Sequence, residues 1–245
     1  MASERGDRGR GAERARDLSG TAVQHAALDG TDIWLVSLRG DPREAARCRG
    51  ILSAEEEKRA SSFRFERDAV RYVIAHGALR EILARYARQS PRELDFSAGA
   101  AGKPALEGIV PGVSFNLAHS GEFALVAVSA SADVGIDIEE VKQSSDLRSV
   151  ALRCFSPGEI SRLTSVPPGE HAGLFFTYWT RKEAFVKGRG DGLSAPLTEI
   201  DVSAAPARPG GGWLVRDIAV PPSYKGAVAT RGGSESCRTF RYLSR

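Results

Sequence analysis

The sequence predicts an α+β fold made of two similar halves, and three observations support this prediction. A serine with a glutamate three residues later, which starts a helix by reciprocal capping, occurs at Ser53 and again at Ser156. Each capped helix is followed by a longer, aromatic-containing helical run and then by a glycine-containing loop. Both parts of the chain also contain runs typical of strands. We therefore expect a flexible leader over 1–20, an N-terminal α+β half over 21–130 and a C-terminal α+β half over 131–245.

The composition is that of a globular protein. The 245 residues are 42% hydrophobic and 27% charged, which is enough for a sizeable core. The net charge of +3, from 34 basic and 31 acidic residues, gives no case for nucleic acid or an anionic membrane as partner. No apolar run is long enough to span a bilayer, and the charged start is unlike a secretory signal. The three cysteines are far apart and form no CxxC pair, so we expect a reduced cytoplasmic protein.

The two long helices are predicted over 68–87 and 174–187. In the first run, apolar residues recur near helical spacing, and Pro91 marks its end. The second run is apolar on almost every side, which predicts a largely buried helix. Alternating glycines from Gly188 to Gly192 end this helix and allow a tight return of the chain.

Short apolar or alternating runs predict strands in both halves. Four of them lie at 33–36, 113–118, 123–128 and 134–141. The turn at 129–133 is expected to join the last two into a hairpin. Runs at 213–220, 226–230 and 237–243 are expected to form a final small sheet.

The strand at 134–141 carries two carboxylates. Because side chains alternate along a strand, Asp137 and Glu139 share one face with Gly135, which we expect to leave room beside the pair. A solvent-facing edge strand is the plainer interpretation. Glu183 and Lys187 lie four residues apart on the second long helix. A surface pair would be ordinary there, but a buried acid on so apolar a helix needs a partner.

Asp137, Glu139 and Glu183 together offer three hard oxygen ligands. Carboxylates without histidine or cysteine partners suit Mg²⁺ or Mn²⁺ rather than zinc. Basic residues that could hold phosphate are Arg59, Arg71, Lys103, His119 and Lys187. A metal and these cations would neutralise charge on a diphosphate, so the residues predict metal-assisted phosphoryl-type transfer.

Three sequence blocks occur in order: FNLAHS at 115–120, VGIDIE at 134–139 and WTRKEAFVK at 179–187. Together with the segments at 63–65, 102–104 and 190–194, they resemble the signature of the 4′-phosphopantetheinyl transferases of the surfactin-synthetase-activating (Sfp-like) type. The resemblance covers roughly residues 33–230.

This resemblance implies a pseudo-twofold α+β monomer with its active site in the cleft between the halves. Such a protein would transfer the 4′-phosphopantetheine arm of coenzyme A to a serine of an acyl or peptidyl carrier protein, and release adenosine 3′,5′-bisphosphate. The carriers would belong to fatty-acid, polyketide or nonribosomal-peptide synthases. A non-catalytic coenzyme A-binding protein and a metal-dependent phosphohydrolase, in which water replaces the serine, are the alternatives.

Residue roles also follow from the resemblance, position by position. Asp137, Glu139 and Glu183 would hold Mg²⁺ or Mn²⁺ on the diphosphate. Glu183 would also be the base for the carrier serine, directly or through water, and Lys187 would stabilise charge. The nucleotide would be held by Arg59, Arg71, Lys103, Asn116, Ala118 and His119.

Two positions depart from the family pattern. Ala118 stands where many relatives have serine, so one hydroxyl contact would be missing. Glu56 stands where relatives often have a base, which would weaken binding of the 3′-phosphate. Residues 142–155 are expected to contact the carrier.

Overall fold

The computed structural model describes residues 30–98, 103–107, 113–129, 133–192, 195–232 and 236–243. The predicted leader at 1–20, the junction at residue 130 and parts of the predicted glycine loops lie outside these residues. Among the described helices, none combines the length and apolar character needed to cross a membrane.

Within the described residues, the first half has five strands and three α-helices. Its elements are β1 (Thr31–Ser37), α1 (Pro42–Arg49), α2 (Ala54–Ser61), α3 (Glu66–Ala87), β2 (Phe96–Ala98), β3 (Pro104–Leu106), β4 (Ser114–Ser120) and β5 (Phe123–Ser129). The second half contributes β6 (Asp133–Glu140), α4 (Leu147–Cys154), α5 (Pro157–Ser165), α6 (His171–Arg189), β7 (Trp213–Asp217), β8 (Tyr224–Arg231) and β9 (Cys237–Arg241). Both long helices predicted from periodicity are confirmed as α3 and α6.

Two sheets lie face to face between the two long helices. The first sheet has the order β4-β5-β1-β9 and the second the order β6-β8-β7. Because side chains alternate along β1, Trp34 packs towards α3 whereas Ile33 packs towards the second sheet. On the far side, α6 covers the second sheet through a cluster that includes Phe185 and Val215. The resulting order of layers, helix–sheet–sheet–helix, confirms the predicted α+β fold of two halves.

The repeated capping pattern is also confirmed. The Ser53 hydroxyl accepts a hydrogen bond from the Glu56 amide, and the Glu56 carboxylate accepts one from the Ser53 amide. Ser156 and Glu159 make the same reciprocal pair at the start of α5. Each pair satisfies two donors that a helix N-terminus otherwise leaves unpaired.

The likeness of the halves extends to a buried base on each long helix. Arg80 of α3 pairs with Glu56 (Nε–Oε2, 2.6 Å), and Lys182 of α6 pairs with Glu159 (Nζ–Oε2, 2.9 Å). Each base also donates to two backbone carbonyls, one of the first residue of the 3₁₀ turn that follows its helix and one of the residue just after that turn. These carbonyls belong to Pro91 and Leu94 for Arg80, and to Leu197 and Ile200 for Lys182. One device therefore fixes the segment after the long helix in both halves.

Two predictions about strand pairing are wrong. β5 and β6 form no hairpin, because β5 pairs with β4 and β1 while β6 pairs with β8. The apolar face of β6, with Val134, Ile136 and Ile138, packs against the first sheet instead of extending it. The two-residue turn at Gly121, whose φ is +56°, makes β4 and β5 the hairpin. β9 is not part of a final small sheet either, since it pairs in parallel with β1.

Candidate functional site

Glycine at position 135 allows the backbone of α6 to lie directly on β6. A Cβ atom at Gly135 would lie 2.0 Å from the Ala184 carbonyl oxygen and 2.2 Å from the Gly188 amide nitrogen. The prediction that Gly135 leaves open room beside the acids is therefore wrong, because helix backbone fills that space. This close approach brings the side chains of α6 onto the acidic face of β6.

Asp137 lies at the centre of this contact. Its side chain is buried, and Oδ1 accepts a hydrogen bond from Lys187 Nζ at 2.5 Å. Oδ2 is also buried but has no hydrogen-bond partner among the described residues. Burial raises the pKa of Asp137 to about 7, with Lys187 opposing the rise and Glu139 and Glu183 adding to it. A buried carboxylate oxygen without a partner is costly, and a cation would satisfy it.

The other two acids, Glu139 on the same strand and Glu183 on α6, both act on the Asp137 carboxylate. Glu139 of β6 accepts a hydrogen bond from the Ser120 hydroxyl of β4 at 2.8 Å. Glu183 of α6 is half-buried, and burial raises its pKa; Lys187 opposes this rise, whereas Glu139 adds to it. Lys187 therefore pairs with Asp137 across the helix–strand contact rather than forming an ordinary surface pair within α6.

The acids suit a divalent metal that also binds phosphate. Within the described part of the chain, no three histidine, cysteine or acidic side chains are grouped closely enough to hold an ion as they stand. The unpaired Oδ2 of Asp137 and the all-oxygen donor set nevertheless fit Mg²⁺, which takes few protein ligands and completes its shell with water and phosphate oxygens. The assignment of Asp137, Glu139 and Glu183 as metal ligands stays a prediction.

Basic side chains surround His119 on the adjacent side of the cleft. His119 lies on β4 and is exposed. Partial desolvation of its ring nevertheless lowers the pKa of the imidazole. Three neighbouring groups lower that pKa further, namely His76, Lys187 and Arg71. They come from α3 and α6, so the two halves both contribute positive charge to this place.

Arg59 lies next to the aromatic side chains of Phe63 and Tyr72. It is exposed near the end of α2, and its guanidinium is 5.6 Å from the centre of the Phe63 ring. It is also close enough to Tyr72 to oppose the rise in the phenol pKa that burial causes. The structure thus brings Arg71, His119 and Lys187 together and places Arg59 beside the aromatic residues next to them.

The remaining three predicted nucleotide-binding residues make contacts that join the halves. Lys103 Nζ donates to the carbonyls of Val134 (2.9 Å) and Gly188 (3.0 Å), and burial lowers its pKa. Asn116 Oδ1 accepts from the Ile136 amide at 2.9 Å. Ala118 is buried in the core between the sheets.

Lys103 and Asn116 nevertheless line a cavity of about 360 Å³ beside Glu183 and Lys187. The predicted roles of Lys103, Asn116 and Ala118 in nucleotide binding stay predictions.

Sequence reasoning missed His76. Its ring lies 4.0 Å from the ring of Tyr72, and its Nδ1 lies 3.3 Å from Glu56 Oε1. Glu56, noted only as a departure from the family pattern, therefore holds His76 and Arg80 together. The four-residue spacing of Tyr72, His76 and Arg80, which puts them on one face of α3, was the available signal.

Comparisons with known proteins agree with this geometry. Residues 41–131 match the sequence model for "4′-phosphopantetheinyl transferase, N-terminal", and residues 133–217 match that of the 4′-phosphopantetheinyl transferase superfamily. The chain is 34% identical over 211 residues to the 4′-phosphopantetheinyl transferase HetI of Nostoc sp. (strain PCC 7120), an alignment that covers 83% of this chain and 89% of that protein. The chain belongs to the 4′-phosphopantetheinyl transferase superfamily.

Two further relatives support the family. The 4′-phosphopantetheinyl transferase Sfp of Bacillus subtilis (strain 168) is 32% identical to this chain. The alignment covers 65% of this chain and 69% of Sfp. AcpT of Salmonella typhimurium (strain LT2) is 40% identical over 42% of this chain and 53% of its own. The Sfp-like resemblance expected from the three sequence blocks is confirmed, and so is the prediction that the chain is an enzyme of this class.

Proposed function

We propose that this transferase moves the 4′-phosphopantetheine group of coenzyme A to a serine hydroxyl of an acyl or peptidyl carrier protein. The product would be a loaded carrier and adenosine 3′,5′-bisphosphate. We further propose that the reaction depends on Mg²⁺, with Mn²⁺ as a substitute, and that the enzyme acts as a monomer.

In this reaction one phosphorus–oxygen bond replaces another. The serine oxygen bonds to the phosphorus that carries pantetheine, and the bond from that phosphorus to the 5′-phosphate oxygen of the nucleotide breaks. The serine proton passes to the Glu183 carboxylate, directly or through water, and the electron pair of the broken bond leaves with adenosine 3′,5′-bisphosphate. Because burial raises the pKa of Glu183, its carboxylate is a stronger base than an exposed glutamate.

The other residues bind and orient the reactants. Asp137, Glu139 and Glu183 would hold Mg²⁺, which when bound supplies positive charge to the diphosphate. Lys187 would stabilise negative charge on the departing phosphate, and the cations around His119 would hold the nucleotide. Arg59, Lys103, Asn116 and Ala118 would frame the remainder of the nucleotide.

One observation carries the proposal: Asp137 is buried against Lys187 with its second oxygen unpaired. A buried, half-satisfied acid beside two more acids has no evident purpose in the core. It is what a site for a divalent cation and a diphosphate needs.

Substitution of Asp137 and Glu183 tests the proposal. With Mg²⁺, coenzyme A and an apo-carrier, Asp137→Asn and Glu183→Gln should each lower the rate of phosphopantetheine addition by about 10³-fold or more, measured as the mass shift of the carrier. Asp133→Asn is the matched control, because Asp133 lies on the same strand with an exposed side chain, and it should stay within about twofold of wild type.

The outcomes separate the alternatives. Wild-type rates in either active-site variant would contradict the assigned roles. Release of adenosine 3′,5′-bisphosphate without any carrier would favour the phosphohydrolase. A panel of apo-carriers from fatty-acid, polyketide and nonribosomal-peptide synthases would show which class the enzyme serves.

A further inference from the structure

We propose that His76 is a further phosphate-binding residue of this enzyme, which contacts the anionic nucleotide of coenzyme A from α3. The inference rests on the proposed function, because it takes that nucleotide as the ligand. His76 lies outside the three sequence blocks on which the family resemblance was based.

The first argument is that two contacts fix the His76 ring. Its Nδ1 faces Glu56 Oε1 at 3.3 Å, and the ring stacks on Tyr72 with a centroid distance of 4.0 Å and an interplanar angle of 27°. Tyr72 itself packs against Phe63 at 5.3 Å. The carboxylate facing Nδ1 orients the ring, so Nε2 is the ring nitrogen left for a phosphate oxygen. A histidine with both nitrogens protonated donates hydrogen bonds to an anion. The side chain is 23% exposed, so a ligand can reach it.

The second argument is the charge around His76. His76, Arg71 and Lys187 lie close enough to His119 to lower the pKa of its ring. Asp137, the buried acid of β6, is already paired with Lys187. Cations that converge from both halves of a cleft repel one another, and an anion of high charge, such as a nucleotide phosphate, relieves that repulsion.

The third argument is a difference between the halves at the glutamate oxygen that His76 faces. In the second half, the equivalent oxygen, Glu159 Oε1, accepts from the backbone amide of Val202 at 2.8 Å. In the first half, Glu56 Oε1 faces His76 instead. The capping pair and the buried base are complete in both halves without a histidine. The difference therefore places at the cleft a side chain that the supporting device does not require.

A conservative substitution tests the proposal. In His76→Gln, the dissociation constant for adenosine 3′,5′-bisphosphate and the KM for coenzyme A should each rise about tenfold, because a hydrogen bond to a charged group is lost. The kcat should change less than about twofold, and the melting temperature should fall only slightly, since glutamine keeps a hydrogen-bonding group next to Glu56 and loses only the ring stack on Tyr72.

His171→Gln is the matched control. His171 is a second histidine at the start of the other long helix, where Nε2 lies 2.9 Å from the Val166 carbonyl oxygen. This variant should bind the bisphosphate as wild type does. A folded His76→Gln protein with unchanged dissociation constant and KM would overturn the proposal. A fall in melting temperature with unchanged binding would overturn it too, because that result indicates a purely structural histidine.

A measurement on the wild-type enzyme keeps the test valid if the variant fails to fold. Diethyl pyrocarbonate modifies free histidine nitrogens, and mass spectrometry locates the modified residue. Adenosine 3′,5′-bisphosphate should protect His76 and leave His171 unprotected, whereas equal modification with and without it would contradict the proposal. If the bisphosphate protects His76 but wild type loads no carrier, the proposed function fails and the anion site stands.

Discussion

The two halves of this transferase share one supporting device but contribute different side chains to the cleft. In each half a capping glutamate pairs with a buried base on the long helix, and that base holds two carbonyls of the following segment. The first half then contributes Arg71, His76 and His119, whereas the second contributes acids and Lys187. The two halves are thus alike in the capping glutamate and buried base that support each long helix. They differ in the side chains that they place in the cleft.

The halves also differ in how deeply the shared device is buried. The Glu159 and Lys182 side chains are 0% and 1% exposed, whereas Glu56 is 12% exposed and Arg80 is 2% exposed. Solvent therefore reaches the Glu56–Arg80 pair of the first half through Glu56, whereas the Glu159–Lys182 pair of the second half is almost completely buried.

The largest expected effect follows from this difference in burial. Lys182→Met leaves the Glu159 carboxylate buried without its base and should lower the free energy of unfolding by about 3–5 kcal/mol. Arg80→Met should cost less, because Glu56 reaches solvent and keeps His76. Denaturant unfolding of both variants measures the comparison, and equal losses would show that the two devices are energetically alike.

The second prediction concerns the close contact between α6 and β6 in the second half. Gly135→Ala puts a methyl group into the backbone of α6 and should cost about 3 kcal/mol, with loss of transfer because the acids and Lys187 separate. Gly173→Ala on α6 is the control, since its Cβ meets no atom within 4 Å and alanine favours a helix. Wild-type stability and activity in Gly135→Ala would show that α6 is free to move away from β6.

The smallest effect concerns the pH dependence of Glu56. Burial acts to raise its pKa, but hydrogen bonds from His76, the Ser53 amide and Arg80 outweigh it and lower the pKa from 4.5 to about 2. A pKa lower in the folded state contributes stability that is complete above pH 4.5 and is lost as the pH falls towards 2.

Glu56→Gln should therefore flatten the dependence of unfolding free energy on pH across this window. It should also cost about 2 kcal/mol at neutral pH, because glutamine retains the cap but not the charge. Urea unfolding at several pH values measures both effects. Glu55→Gln, an exposed neighbour on α2, should keep the wild-type slope.

Local signals in the sequence predicted much of this fold. Capping at Ser53 and Ser156, helical periodicity, and the glycine end of α6 depend on neighbouring residues, so they can be recognised without tertiary information. Strand partners cannot, because the apolar residues of β5 and the apolar face of β6 suit a hairpin as well as two packed sheets. The role of Gly135 was misjudged for the same reason, since its neighbour is a helix 50 residues further along.

The site was predicted in part. Residue type and spacing indicated Asp137, Glu183 and Lys187, which the structure brings together. His76 could not be singled out, because its importance depends on Glu56 from another helix and on His119 from a strand. Lys103 was predicted as a phosphate ligand, but its structural contacts were not. Nothing in the sequence around this lysine indicates that it donates hydrogen bonds to two backbone carbonyls of the second half.

The parallel pairing of β9 with β1 affects how the chain reaches its folded state. Asp32 of β1 binds Arg238 of β9, 206 residues further along, so the first sheet cannot close until that distant strand has been synthesised. Until then one edge of β1 leaves its backbone groups without the β9 partner, and an unpaired strand edge favours pairing with another chain. Contacts of such large sequence separation slow folding, so completion of the first sheet is expected to be a late step on the folding pathway.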